Sequence, residues 1–415
     1  MRLLILAIVP LLAALSIATR QPASQAAAAP IQASSTPSTS PADRDQGVAR
    51  LAADTETRWV SFDLTPGNQI RFAMQIDGRT ITAILDTGVS YTLLAETSPA
   101  VVRGALKPGG RASAIGGSVA LHWMPTRSIV LGGLTRSGGG VSVAALPALA
   151  TGSATAVDLL VGRDLLAAHA LDIDYAARRF RLIPTGRLPF AGDTAPLTIS
   201  SDRRVYESAI RIGTHALAPI VVDTGDGSAI TVTAAGWRRA APPGLPTTTA
   251  IAYGLGGSVV SGLAIAPEIR VGTLVARDTE VRIEPEAGFS QSIGAAGRLG
   301  SGFLQHYRVL LDPSAARMVL HRGDVADPRP IRSTSGLLMG VESNRLKVLH
   351  VMRGGPAEAS GWQVGDLICS IDGQPIPRDY PTSPLANWTI RSPGSVVRLG
   401  LCDGTTRTLT LRTFY

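Results

Sequence analysis

Two short stretches carry residue types suited to hydrolytic chemistry. Ile84-Leu85-Asp86-Thr87-Gly88 ends an apolar run on a carboxylate, a hydroxyl and a residue with no side chain, and Val221-Val222-Asp223-Thr224-Gly225 does the same. Each apolar run reads as a buried strand. A single Asp-Thr-Gly is also an ordinary exit from a strand into a turn, where Asp bonds its own backbone and Gly supplies a positive φ. A pair is different. Two carboxylates held about 3 Å apart cannot both ionise and share one proton. The ionised one then acts as general base on a water, and the protonated one supports a carbonyl oxygen. Glycine beside each lets the two backbones approach closely.

The pair sits inside a longer repeat. Leu160-Val161-Gly162 follows the first copy and Arg298-Leu299-Gly300 the second; the glycines come 76 residues after Asp86 and 77 after Asp223. A hairpin-like segment follows each, Ile173 to Leu182 and Leu311 to Leu320, with Asp174 and Asp312 138 residues apart. Asp86 and Asp223 are 137 apart. Landmarks kept in step over that span imply two homologous lobes, each presenting one aspartate.

This pattern resembles the aspartic proteases of the retropepsin-like type, with both halves on one chain as in the pepsins. The resemblance runs from about Trp59 to Arg322 and implies a mainly β fold of two homologous lobes forming a pseudo-dimer. It makes Asp86 and Asp223 the catalytic dyad of an endopeptidase. Thr87, Gly88, Thr224 and Gly225 become its frame, each threonine hydroxyl reaching across to the opposite lobe. It places flap hairpins over an extended polypeptide substrate, at Gly116-Gly117 in the first lobe and at Tyr253, Gly256 and Gly257 in the second. Tyr253 either bonds over the cleft or is simply packed. No cofactor is implied. The chain departs from the family after each triplet, where Val89 and Asp226 replace the usual small residue. Asp226 either turns outward as a turn acceptor, helped by Gly227, or faces the dyad and raises its pKa values.

The totals narrow the alternatives. Across 415 residues the net charge is +8, with a sequence pI of about 10.0. The basic residues are nearly all Arg and spread thinly, so no nucleic-acid partner is expected. Histidines are few and scattered, and no metal site is expected. Residues 1–20 read as a signal peptide or membrane anchor. Cleavage would follow Ala18 or fall between Ala26 and Ala29. Residues 21–57 are an Ala/Ser/Pro/Thr linker too polar to form a core. The lobes then occupy 58–188 and 189–323, with a second linker at 324–334. Such a chain would be exported, periplasmic or secreted, and would meet a membrane only through an uncleaved N-terminal segment.

The remaining residues, 335–415, change character. Gly355-Pro356-Ala357 opens a helix that ends near Gly361, and Val364-Gly365-Asp366-Leu367-Ile368 leads into a strand. This is similar to bacterial-type PDZ domains, small α+β units that bind an extended peptide as an added strand. Leu338, Met339, Gly340 and Val341 match the loop that takes a peptide's C-terminal carboxylate, although the family prefers Gly where Leu338 stands. The groove helix would fall near 385–390 and be short. The only cysteines, Cys369 and Cys402, lie here, either bonded or as two buried thiols. Two rival functions remain. A serine hydrolase lacks a Gly-x-Ser-x-Gly, and Ser90 and Ser228 have no evident His partner. An inactive protease-like scaffold would leave the PDZ domain as the working unit.

Overall fold

The computed structural model describes residues 47–151, 156–323 and 330–415. The N-terminal segment, the linker as far as residue 46 and residues 324–329 lie outside that range. Alternation sets the strands. In Ile70–Ile76, Ile70, Phe72, Met74 and Ile76 are buried while Ala73 and Gln75 face out, the period of two of a strand with one face on a core. Asp77 and Gly78, both at positive φ, turn the chain into Arg79–Leu85, as a two-residue hairpin turn requires.

Seven strands frame the first sheet. They are β1 (Ile70–Ile76), β2 (Arg79–Leu85), β3 (Leu93–Ala95), β4 (Lys107–Ala114), β5 (Gly117–Pro125), β6 (Gly140–Ala144) and β7 (Leu159–Val161), in the spatial order β1-β2-β7-β3-β6-β5-β4. Seven more frame the second sheet: β8 (Tyr206–Ile212), β9 (His215–Asp223), β10 (Ile230–Val232), β11 (Thr248–Gly254), β12 (Gly257–Val271), β13 (Leu274–Ile283) and β14 (Gly297–Gly300). Their order is β8-β9-β14-β10-β13-β12-β11. The two orders match strand for strand. The parallel pairs match as well: β2 with β7 and β9 with β14, then β3 with β6 and β10 with β13. The repeat seen in spacing is thus a repeat of topology.

A third sheet of six strands draws on both halves. The two expected hairpins, Ala170–Asp174 with Arg179–Ile183 and Tyr307–Asp312 with Arg317–Arg322, lie side by side at its centre, Leu171 opposite Leu311 and Ile173 opposite Val309. All three sheets share one apolar core, in which Phe180 meets Phe72 edge-on at 4.9 Å. Asp172 is fully buried in the third sheet, and Arg181 and Arg308 each reach it at 2.9 Å. A carboxylate there needs such partners, because an unpaired buried charge is costly.

The first sheet begins earlier than composition suggested. Val48–Leu51 pairs antiparallel with Leu134–Ser137, inside the span read as linker through residue 57. Its three leading residues are exposed, so no apolar alternation marks it. A short helix suits Leu165 to Ala170 by sequence; the helix is instead Arg163–Leu166, and the chain is a strand again by Ala170.

The C-terminal region forms its own sheet: β15 (Leu337–Glu342), β16 (Arg345–Val351), β17 (Leu367–Ile371), β18 (Val396–Leu401) and β19 (Thr406–Thr410), paired in that order. Its core contains Trp362, Ile368, Trp388 and Leu399. Pro356 starts the helix Pro356–Ala359, and a short 3-10 helix spans Pro384–Ile390. Cys369 and Cys402 are joined in a disulfide with Cα atoms 5.1 Å apart, which selects one of the two readings left open. Among the described residues no helix is long and apolar enough to cross a membrane.

Phe180 bridges the first and third sheets, so Phe180→Ala should cost about 3–5 kcal/mol. The check is a lower urea midpoint with an unchanged slope; an unmoved midpoint would remove Phe180 from the shared core.

Candidate active site

β2 and β9 lie inside their sheets, each flanked on both sides, and each ends at an aspartate. Neighbouring backbone fixes the exits: the Asp86 N–H donates to Val161 O at 3.0 Å, and Asp223 lies opposite Gly300 in the parallel register. Gly162 and Gly300 are glycine for reasons of space. A Cβ on Gly162 would stand 2.6 Å from the Tyr91 carbonyl carbon, and one on Gly300 would stand 2.2 Å from Ser228 O.

The two exits are tied to each other by four hydrogen bonds. The Thr87 hydroxyl donates to Val222 O at 2.7 Å and accepts the Thr224 N–H at 2.9 Å. The Thr224 hydroxyl donates to Leu85 O at 2.7 Å and accepts the Thr87 N–H at 3.1 Å. Both threonines are fully buried. The glycines complete the contact. A Cβ on Gly88 would stand 2.3 Å from Asp223 Cγ, and one on Gly225 would stand 2.3 Å from Asp86 Cγ. Each carboxyl therefore rests on the other half's glycine. Further bonds brace the second exit: Gln69 Nε2 donates to Gly225 O at 2.7 Å and the Ser301 hydroxyl to Thr224 O at 2.6 Å.

Both aspartates are buried, at 8% and 7% exposure, and each carboxyl lies against the glycine that follows the other's threonine. Burial, then the Asp223 charge, holds Asp86 well above the usual carboxylate range. Burial, then the Asp226 charge, pushes Asp223 up to about 6, against the opposing pull of Arg298. The two are not equivalent. Asp223 Oδ1 accepts two backbone N–H groups, from Gly225 at 2.9 Å and Asp226 at 3.0 Å, and Arg298 Nε lies 4.0 Å from Oδ2. Asp86 Oδ1 accepts the Gly88 N–H at 3.1 Å. More of the surroundings stabilise charge on Asp223, which makes it the ionised member of the pair.

Asp226 combines the two sequence readings: its charge raises the dyad carboxyls, and it also serves as a turn acceptor without turning outward. It does accept the Ser228 N–H at 2.9 Å and the Ser228 hydroxyl at 2.7 Å, as a turn acceptor would. Its side chain is nonetheless only 11% exposed, and Arg298 Nε reaches its other oxygen at 2.8 Å. Burial alone would raise the Asp226 carboxyl; Arg298 and Ser228 overcome this and hold it at about 2. The same guanidinium reaches Glu284 at 2.6 Å and the Ser290 hydroxyl at 2.8 Å. Arg298 and Glu284 were missed as site residues. Their one sequence signal was an arginine in the position where the first half has Leu160. That first-half position is apolar throughout: Leu160 packs with Ile84 and Leu146, with Val89, Leu121 and Leu255 against them.

The glycine pairs lie in two hairpins. β4 and β5 turn at Ile115-Gly116, and β11 and β12 at Leu255-Gly256. The tips touch each other. Gly256 donates its N–H to Ile115 O at 2.9 Å, and a Cβ on Gly116 would stand 2.5 Å from Gly257 O. Gly117 and Gly257, both at positive φ, follow the two turns. Tyr253 is half-buried on β11, opposite Ser258.

Leu338, Met339, Gly340 and Val341 lie within strand β15, not in a loop. The amides leading into it, and that of its first residue, are engaged internally: Ser335 donates to Thr389 O, Gly336 to the Ser333 hydroxyl and Leu337 to the Ser335 hydroxyl. β15 ends its sheet, leaving one strand edge without a partner strand among the described residues. Among those residues no cluster of three or more His, Cys, Asp or Glu side chains is arranged to hold a metal ion.

Residues 347–403 match the PDZ-domain family, so the chain carries a PDZ domain, and that domain supports peptide recognition. No curated protein matches the chain.

Thr87→Val should leave the buried Thr224 N–H without its acceptor, at about 1–3 kcal/mol, while Thr87→Ser should keep most of the stability. Thermal melts of the two variants check this; equal melting would mean that the crossed bonds hold nothing together.

Proposed function

We propose that this chain is an aspartic endopeptidase, with its PDZ domain engaging polypeptide. One observation carries the reading: two buried carboxyls, delivered by matching strands of a duplicated topology, each seated on the other half's glycine and locked by reciprocal threonine bonds. Such a pair shares one proton. Asp223, better supplied with donors, is the base that takes a proton from water. Asp86 keeps the shared proton and donates it toward the carbonyl oxygen of the scissile amide as the water adds. In the collapse of the resulting diol Asp223 gives the proton taken from water to the amide nitrogen, Asp86 takes one back from a diol hydroxyl, and the C–N bond breaks to an acid and an amine. No cofactor enters.

The substrate is an extended polypeptide running beneath the two hairpins, whose strands offer backbone for pairing. Val89 and Leu121 give the first half an apolar wall, against which Leu255 of the second hairpin packs. The open edge of β15 suits a peptide added as a further strand. Internal segments fit it better than a free carboxylate, because the amides leading into the strand are already bonded. The Cys369–Cys402 disulfide agrees with an exported protein, since such bonds persist in oxidising compartments.

Asp86→Asn and Asp223→Asn should each abolish cleavage of unfolded casein while circular dichroism stays unchanged. Wild-type rates in either variant would defeat the proposal.

The pH profile follows from the same residues. The base must be ionised, so kcat/KM should rise as pH passes through about 6, where Asp223 titrates. It should fall at higher pH as Asp86 loses its proton. Asp226→Asn keeps an acceptor for Ser228 and removes a negative charge beside the base. A lost like charge lowers the base's pKa, so the acid limb of the profile should move to lower pH. An unmoved limb would separate Asp226 from the dyad.

A further inference from the structure

The two hairpins whose tips meet are held very differently. β4 is an edge strand, and none of its residues is fully buried. Its counterpart β11 is also an edge strand, yet Thr248 and Ala250 are buried and its other residues are half-buried. The PDZ domain covers it, together with the short 3-10 helix Ala148–Thr151 of the first half, which also packs on β11. The Thr248 hydroxyl donates to Arg353 O at 2.7 Å. The Thr249 hydroxyl accepts the Arg353 N–H at 3.1 Å and lies 2.8 Å from His350 Nε2. Ala250, Leu263 and Ile265 of the hairpin form an apolar cluster with Met352 and Tyr415, with Leu338 against it. The tips meet through close backbone approach at Gly116, Gly254 and Gly256, one backbone hydrogen bond and Leu255; such a bond contributes about 0.5–1.5 kcal/mol.

We propose that the PDZ domain is a brace that fixes the second hairpin, leaving the first hairpin as the element that lifts to open the cleft. Leu338 connects the brace to the ligand edge, because it belongs to β15 and also packs against the hairpin. A peptide strand added along β15 therefore acts directly on the brace. The consequence for substrate access rests on the proteolytic reading above; the brace itself does not.

Amide hydrogen exchange on the full-length chain, read by mass spectrometry, tests this. Local opening governs exchange in such elements. In the wild type, residues 107–125 should exchange about tenfold or more faster than 248–263. Thr249→Val removes the polar contacts of the brace, and Leu338→Asp places a charge in its apolar portion. Each should speed exchange in 248–263 by about tenfold and leave 107–125 and the strands β2 and β9 unchanged. Equal protection of the two hairpins in the wild type would overturn the proposal. So would a variant in which 248–263 stays as protected as before. Casein cleavage is assayed separately. A wild type that shows the exchange pattern but cuts nothing would defeat the proteolytic reading and leave the brace standing.

Discussion

The site rests on an exchange of hydrogen bonds between Thr87 and Thr224. Each hydroxyl uses both of its capacities, giving its proton to the strand carbonyl of the other half and accepting the other threonine's N–H. These bonds are buried, where a missing partner is costly. They pin the ends of β2 and β9 at a fixed separation. Only then can a pair of carboxyls be held close enough to share a proton, against the repulsion that would drive ionised groups apart. Gly88 and Gly225 follow from the same constraint, since any side chain there would occupy the space of the opposite carboxyl.

Much of this could be read from the sequence, for reasons that are physical. The repeat of Asp-Thr-Gly, apolar-apolar-Gly and hairpin keeps its spacing because both halves fold to the same strand order. Gly162 and Gly300 stand out because close backbone passage tolerates nothing larger. Other features left no mark. Val48–Leu51 joins its sheet chiefly by backbone pairing: only Leu51 packs against the core, and the other three side chains lie in solvent. Arg298 is one arginine among many, and its meaning depends on Asp226 and Glu284, distant in sequence, meeting it in the interior. Leu338 to Val341 matched a loop by residue type, but pairing with β16 draws them into a strand. The packing of the PDZ domain on the second hairpin had no sequence signal, because it joins Thr249 to residues 101 and 104 positions away through ordinary side chains.

The halves share a topology and differ in chemistry. Val89 and Leu160 leave the first side of the site apolar. Asp226, Arg298 and Glu284 make the second side a buried ionic cluster. A guanidinium between two carboxylates, beside a third, is stable only with each partner in place, since removing one leaves an uncompensated buried charge. The same second half carries the hairpin that the PDZ domain covers. Both departures from symmetry thus fall on the half that presents Asp223, the carboxylate better supplied with donors.

The central claim is that Asp86 and Asp223 hold one proton between them. Carbon-13 NMR of the aspartate carboxyl groups in the full-length protein, titrated from acid to neutral pH, measures this most directly. Two coupled steps are expected, with Asp223 ionising first and Asp86 still protonated after the ordinary surface aspartates have lost their protons. In Asp223→Asn the Asp86 step should move to lower pH, because the neighbouring charge is gone. Two carboxyls that both ionise together with the surface aspartates would contradict the account.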